Sequence, residues 1–275
     1  MKIDGDTDPA YVRARTALLD ALDALWEHRN AIILVGAQAV YLRTGESTFA
    51  VAPYTTDADL AIDPDILQPN PKLVEALLRG GFTPDPDPAK LGIYISSRAG
   101  TTTDLLVPAG VAGKGTRRAN LGVHGDRAAR RAEGLEAALV DKSQVRVTAL
   151  EDQDPRVRDI QVAGPTALLI AKLYKLMDRL DQQSRLDNKD AFDAYRLLTA
   201  VPTAEFATAF ELLLLDQRTN DISRRAVDYL DTLFGTSNSP GSRMAGQAVG
   251  MEEDSLIVAA SCEVLATDLI QVLRQ

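Results

Sequence analysis

One cysteine, Cys262, stands in 275 residues, which excludes an internal disulfide. Two histidines, His28 and His124, are too few for a His-rich metal site. Any metal is therefore expected to be a hard cation on carboxylate oxygens. Long apolar runs are scarce. The most apolar stretches, Ala31 to Val35 and Leu212 to Leu215, fall far short of the roughly 20 residues that cross a bilayer. The opening stretch MKIDGDTDPAYVRAR lacks the apolar core of a secretory signal. These absences predict a cytoplasmic protein with no membrane partner. Positive charge is in deficit too: a net charge of −9 disfavours broad adhesion to nucleic acid or anionic membrane. The local exception is Lys114 to Arg131, with six basic residues against one Asp, followed later by Arg156 and Arg158. A solvated, loop-rich connection is the expectation there, ahead of a nucleic-acid patch.

What is present reads as an ordinary globular chain. Hydrophobic content is 45% and mean hydropathy −0.09, and the length suffices for one large core or two modest ones. Leu18, Leu19, Leu22, Leu25 and Trp26 recur at helical spacing, which predicts an amphipathic helix over Tyr11 to Arg29. Ala31 to Val35 is expected as a buried strand ended by Gly36, with Ala37 to Arg43 helical after it. Thr55 to Asp63 reads as a strand, Lys72 to Arg79 as a short helix, and Gly92 to Arg98 with Thr101 to Val107 as a hairpin. Val145 to Leu150 and Arg158 to Val162 are two further predicted strands. From Pro165 the pattern becomes helical, with one helix over ALLIAKLYKLMDRL, another over Asn188 to Thr199, and a Gly/Ser-rich break at Gly235 to Gly250. Residues 1–163 are thus expected as a mixed α/β domain and 164–275 as a helical one. The fold class is α+β, a mixed sheet with flanking helices followed by a helical bundle.

The stretch TTDADLAID raises a chemical question. Asp57, Asp59 and Asp63 share one parity of the strand, while Ala58, Leu60 and Ile62 share the other. Strand side chains alternate between faces, so the carboxylates crowd one side, where like charges repel. A cation would offset that cost. Mg²⁺ takes oxygen ligands and is commonly held by one or two carboxylates plus substrate phosphates. Asp57 and Asp59 have the spacing for it, and Asp104, within the strand TTTDLLVP, is a candidate third carboxylate. Gly36 stands where a strand turns into a helix, so backbone N–H groups there can face a phosphate. Each residue taken singly has a plain alternative: Asp57 as a cap, Asp104 as a strand-edge charge. Asp63 precedes Pro64 and reads as the turn that ends the strand.

The Gly turn, the D-x-D strand and a later strand Asp resemble the polymerase-β-like nucleotidyltransferase superfamily. The resemblance implies that the turn at Gly36, Ala37 and Gln38 binds a nucleoside triphosphate. It also implies that Asp57, Asp59 and Asp104 hold Mg²⁺ and activate an acceptor hydroxyl. Family members usually follow the first glycine with Gly or Ser; here Ala37 follows, leaving Gln38 or backbone N–H groups to meet the phosphate. The gap from Gly36 to Asp57 is also longer than in compact members.

In the second half, Lys172, Lys175 and Arg179 share one helical face, and Lys172 sits within an apolar run where an unpaired ammonium is costly. In DNKDAFDAYRLL, Lys189 and Asp193 are four residues apart, which by itself reads as an intrahelical ion pair. The Lys helix followed by a K-D-x-x-D helix resembles AbiEii-type nucleotidyltransferase toxins, including the MenT-type toxins of mycobacteria, over Ala31 to Leu198. It implies that Lys172 contacts the triphosphate, that Lys189 and Asp190 line the nucleotide cleft with Asp193, and that Asp193 or Asp190 orients a catalytic group. The function so implied is Mg²⁺-dependent transfer of nucleotides from an NTP to RNA. The tRNA 3′ end is the first candidate acceptor, within a type IV-like toxin–antitoxin system with a cognate antitoxin as partner. The rivals are a small-molecule, antibiotic-type nucleotidyltransferase and a catalytically inactive binding protein of the same fold.

Overall fold

In a computed structural model of the chain, residues 8–45, 55–180 and 188–275 are described. They divide into two compact units. The first takes in the described residues of 1–39, 52–132 and 142–163 and carries the β-strands; the second takes in those of 40–51, 133–141 and 164–275 and is helical. The fold is α+β, with one mixed sheet and a C-terminal run of helices.

In the sheet unit, Asp8 caps helix α1 (Pro9–Ala24) by accepting from the Ala10 amide at 2.7 Å, with Pro9 in the first turn. Leu18, Leu19 and Leu22 of its apolar stripe are buried, and α1 packs on β2 and β5. The helix stops at Ala24, not Arg29, and a 3-10 turn follows at Trp26–His28. The strands are β1 (Ile32–Val35), β2 (Asp57–Ile62), β3 (Phe82–Pro84), β4 (Ile93–Ser96), β5 (Thr102–Pro108), β6 (Arg130–Ala132), β7 (Lys142–Thr148) and β8 (Val157–Ala163). They order as β3-β4-β5-β2-β1-β8-β7, with β6 also on β5. Buried on both faces, β1 reads as an unbroken apolar run, whereas β2 alternates at its acidic start. β4 and β6 run in line along one edge of β5, and Gly92 lies at their junction with φ +71. A Cβ at Gly92 would lie 2.6 Å from the Leu105 carbonyl and 2.8 Å from the Arg130 amide, so glycine is what lets the three backbones meet.

Strands β3 and β6 are only three residues long and carry no periodic signal of their own; each is made a strand by its neighbour's register. Helix α3 (Leu73–Arg79) has no side-chain cap from Lys72. Instead His124, about fifty residues on, accepts from the Leu73 amide through Nδ1 at 3.2 Å and donates from Nε2 to the Gln68 carbonyl at 2.9 Å. The basic stretch is largely exposed, as expected, but several of its arginines are bonded within the chain. Arg118 pairs with Asp126 at 2.8 Å, Arg117 donates to the Ala89 carbonyl at 2.9 Å, and Arg131 donates to the carbonyls of Ala109 and Gly113.

The helical unit contains α4 (Pro165–Arg179), α5 (Asn188–Ala200), α6 (Thr203–Leu215), α7 (Asn220–Phe234), α8 (Pro240–Gln247) and α9 (Glu252–Leu273). Gly164 cannot cap α4 with a side chain, and Asp141 supplies the missing carboxylate by accepting from the Ala167 amide at 2.8 Å. Burial pushes the Asp141 carboxyl above its ordinary pKa, against the pull of that bond. The expected break at Gly235 to Gly250 holds helix α8 instead. Its small residues are close-packing surfaces: a Cβ at Gly246 would lie 2.4 Å from the Ser255 carbonyl of α9, and one at Gly241 2.7 Å from the Leu233 carbonyl of α7. Composition suggested a loop where helix proximity demanded glycine. A second feature not read from the sequence concerns α9. Over Glu253–Leu273 it is long and apolar enough to cross a membrane by length and composition, with a mean hydropathy of 1.8 in an 18-residue window. The apolar residues are interrupted by Ser261, Glu263 and Asp268, so no continuous run marks them in the sequence. Val258, Cys262, Ala266 and Leu269 of this helix are buried, while Leu256, Ile257 and Val264 are exposed. Burial pushes the Cys262 thiol up to about 12, so it stays protonated at neutral pH.

Candidate active site

The sheet brings the expected acidic residues onto one face. β2 runs antiparallel to β1 with Asp59 opposite Val35, and parallel to β5 with Asp59 opposite Asp104. Asp57 lies two residues before Asp59 on the same face, opposite Thr102. Immediately after Val35, Gly36 opens helix α2 (Gly36–Thr44) at φ +69. A Cβ at Gly36 would lie 2.0 Å from Asp59 Oδ2, so glycine is obligatory twice over, for its backbone angle and for the carboxylate resting on it. Ala37 follows, buried in the first turn. Thr55 donates to Asp57 Oδ1 at 2.8 Å, orienting that carboxylate. Asp63 ends the strand as expected, its Oδ1 accepting from the Asp65 amide at 3.2 Å in an Asx turn.

Two placements differ from expectation. The first is Gln38, a candidate for the phosphate contact. Its side chain is turned inward and only 1% exposed. Its Oε1 accepts from Arg15 Nε at 2.9 Å, and its Nε2 donates to the carbonyls of Ala14 and Asp57, both at 3.0 Å. The amide is thereby committed to tying α1, α2 and the start of β2 together, and is not available to a phosphate. Arg15 completes the clamp by donating to Tyr11 Oη at 2.8 Å and to the Thr148 carbonyl at 3.0 Å. Sequence reasoning passed over Arg15. Its signal was there, because Arg15 falls on the apolar stripe of α1, where a cation is out of place unless partnered.

The second difference is Asp104. Its carboxylate is paired with Arg130 of β6, Nη2 donating to Oδ2 at 2.7 Å. Among the described residues, no three His, Cys, Asp or Glu side chains form a group able to hold a metal ion. The donor chemistry nevertheless suits Mg²⁺: Asp57 and Asp59 offer two hard carboxylates on one face, which with substrate phosphates is a usual Mg²⁺ complement. The Gly36 cradle leaves room for the Asp59 carboxylate. Arg130 was visible in the sequence only as one of a run of arginines, since a register partner on another strand leaves no local trace.

The helical unit holds Lys172, Lys189, Asp190 and Asp193. Lys172 Nζ donates to Asp190 Oδ1 at 2.7 Å and to Asp193 Oδ2 at 2.6 Å, joining α4 to α5. Lys175 and Arg179 reach the Asp190 carboxylate as well, at 2.9 and 3.2 Å. The basic face of α4 is thus spent largely on one carboxylate. Burial alone would lower the Lys172 pKa, but Asp193 and Asp190 outweigh it and hold the ammonium above its ordinary value. Burial likewise opposes ionisation of Asp190, yet Lys172 and Lys175 hold its carboxyl below the usual range. Asp193, read from spacing as a partner of Lys189 on the same helix, is bonded across to Lys172; Lys189 is half-buried on α5.

Comparison with protein-family models, curated proteins and solved structures found no match to this chain.

Proposed function

We propose that the chain is a Mg²⁺-dependent nucleotidyltransferase: an RNA hydroxyl attacks the α-phosphate of a nucleoside triphosphate, the α–β phosphoanhydride bond breaks, and pyrophosphate leaves. The observation that carries this reading is the register of Asp59 with Asp104, beside a glycine turn on which the Asp59 carboxylate rests. Asp57 and Asp59 would hold the cation, and Asp104 would serve as a further ligand or accept the proton of the attacking hydroxyl. When bound, Mg²⁺ supplies Lewis-acid stabilisation of the phosphoryl oxygens. The chain's own part is to fix the carboxylates. Thr55 orients Asp57, the Gln38 amide anchors its backbone carbonyl, and Gly36 seats Asp59. Lys172, in the helical unit, carries over from the resemblance as a phosphate-contacting cation; among the described residues its ammonium donates to Asp190 and Asp193.

A tRNA 3′ end is the proposed acceptor, in the manner of AbiEii- and MenT-type toxins, with an antitoxin as protein partner. A groove of about 660 Å³ whose lining includes Lys114, Arg117, Arg118 and Asn120, with Asp126 as its one acid, supports a polyanionic acceptor. A small-molecule acceptor is favoured by a different observation: Arg118, Arg130 and Arg131 are already engaged within the chain. Salt separates the two, since RNA contacts made through phosphates weaken steeply as salt rises. The direct test is incubation with each labelled NTP, Mg²⁺ and total RNA. Asp59→Asn should lower transfer by about a hundredfold or more at unchanged fold, as loss of a catalytic ion's stabilisation does. Equal labelling by the variant would remove the assignment.

A further inference from the structure

We propose that the chain pairs with a second copy of itself through α9, outer face against outer face, with the two helices antiparallel. The pairing stands apart from the nucleotide chemistry. Helix α9 is apolar on two sides, and the fold uses one of them. Val258, Cys262, Ala266 and Leu269 are buried against the other helices of the unit. On the outer side Leu256, Val264 and Val272 are 70, 58 and 42% exposed, with Ile257 and Ala260 exposed between them. Helix α6 packs on α9 and adds Leu212 and Leu215, exposed as well. Single apolar side chains on a surface are ordinary, but a row of them along a 22-residue helix is a contact face.

The charge pattern of α9 selects the occupant. A lipid surface favours cations flanking the apolar face, whereas Glu253 and Asp268 are exposed there, on a chain of net charge −9. A second copy running the other way suits both ends of the helix. With Val264 of each copy at the centre, Glu253 lies eleven residues before it and Arg274 ten after it. Each Glu253 thus comes level with Arg274 of the other copy. Arg274 Nη2 already donates to Asp231 at 2.9 Å. A guanidinium carries five N–H groups, so it can take a second carboxylate without giving up the first.

The same register matches the apolar residues. Leu256 comes level with Val272 of the other copy, and Val264 meets its own counterpart. Asp268 comes level with Ala260 of the other copy, whose small side chain leaves the carboxylate its water. Glu263, the remaining acid in the middle of α9, is held within its own chain by the Ser237 amide at 2.6 Å. Opposite charges at the ends and apolar contact at the centre are what a self-complementary face requires.

The test is the mass of the full chain in solution, read by sedimentation velocity across a concentration series. A species of twice 29.7 kDa is expected, and a monomer throughout overturns the proposal. Val264→Glu sets two carboxylates against each other at the centre and should weaken pairing by roughly a hundredfold or more. A dimer of unchanged affinity in that variant places the contact elsewhere and overturns the assignment. Glu253→Lys and Arg274→Glu should each weaken pairing about tenfold, and the two together should restore it. Losses that add without rescue overturn the antiparallel register. Val264→Cys should form a disulfide between copies under mild oxidation. Leu256→Cys should not, because its two positions stand about 24 Å apart. The native Cys262 is buried and gives no background. Should Val264→Glu fail to fold, the two cysteine variants answer in its place, and cross-linking by Leu256→Cys alone overturns the arrangement. Sedimentation with anionic phospholipid vesicles in place of self-association would give the face to lipid and overturn the proposal.

Discussion

The two units each hold a cluster in which cations meet carboxylates, and the clusters differ in how far water reaches them. In the helical unit, the side chains of Lys172, Asp190 and Asp193 are 6%, 3% and 1% exposed, with Lys175 and Arg179 adding charge from the rim. In the sheet unit, Asp104 meets an Arg130 whose side chain is more than a third exposed. Buried charges hold one another in place, because losing one partner strands the other in a low-dielectric interior. A pair with one exposed member is cheap to open. The difference separates what holds a unit together from what is free to react.

The largest expected effect follows from that contrast. Lys172→Met leaves Asp190 and Asp193 without their shared ammonium and should cost about 3–5 kcal/mol of stability, read by urea denaturation. Arg130→Gln should cost about 1 kcal/mol or less in the same assay, as exposed ion pairs do. Equal losses would erase the distinction between the clusters.

A middle case sharpens it. Gln38 is as buried as the Lys172 cluster yet uncharged, so its removal should fall between those two effects. Gln38→Ala leaves the Arg15 guanidinium short of one acceptor and the Ala14 and Asp57 carbonyls short of a donor. A loss of about 1–3 kcal/mol is expected, together with weaker Mg²⁺ binding, because the backbone carbonyl of Asp57 is no longer held. Unaltered Mg²⁺ binding would make the clamp a matter of packing alone.

How much of this was legible in the sequence depended on the range of the signal. Periodic signals carried well: the apolar stripe of α1, the acidic parity of β2 and the helical face of α4 all concern residues within a few turns of one another. Gly36 was readable for the same reason, since a strand-to-helix turn is local. What escaped were partners set by register or by distance in the chain. Arg130 is paired with Asp104 because β6 lies in line with β4, and His124 caps α3 from a different loop. Gln38 shows the limit from the other side. A polar residue after a glycine turn suggests a phosphate contact, and only the packing of α1 reveals that its amide is already engaged. Helix α8 was hidden by its glycines, which serve contact with α7 and α9 rather than chain flexibility.

The smallest effect is a matter of pH, and it compares the units directly. Burial, with help from His28 and Lys72, lowers the His124 pKa below its ordinary 6.5, against the Gln68 carbonyl. A lowered imidazole pKa means that the folded state binds fewer protons than the unfolded chain. The stability it contributes is present above 6.5 and is lost as pH falls below that value through the lower folded-state pKa. Protonation also puts a hydrogen on Nδ1, which can then no longer accept from the Leu73 amide, so the start of α3 loosens. In the helical unit the pH windows differ. The lowered Asp190 carboxyl contributes stability that is kept until pH falls below its ordinary 3.8, and the raised Lys172 ammonium contributes until pH rises above 10.5. Amide hydrogen exchange, corrected for intrinsic rate, should therefore show α3 losing protection between pH 7 and 5 while α4 and α5 keep theirs. His124→Ala should remove that pH dependence and cost about 1 kcal/mol at pH 7, as loss of a helix cap does. Loss of protection in α4 and α5 over the same interval would mean that both units share one acid-sensitive group, and the comparison between them would not stand.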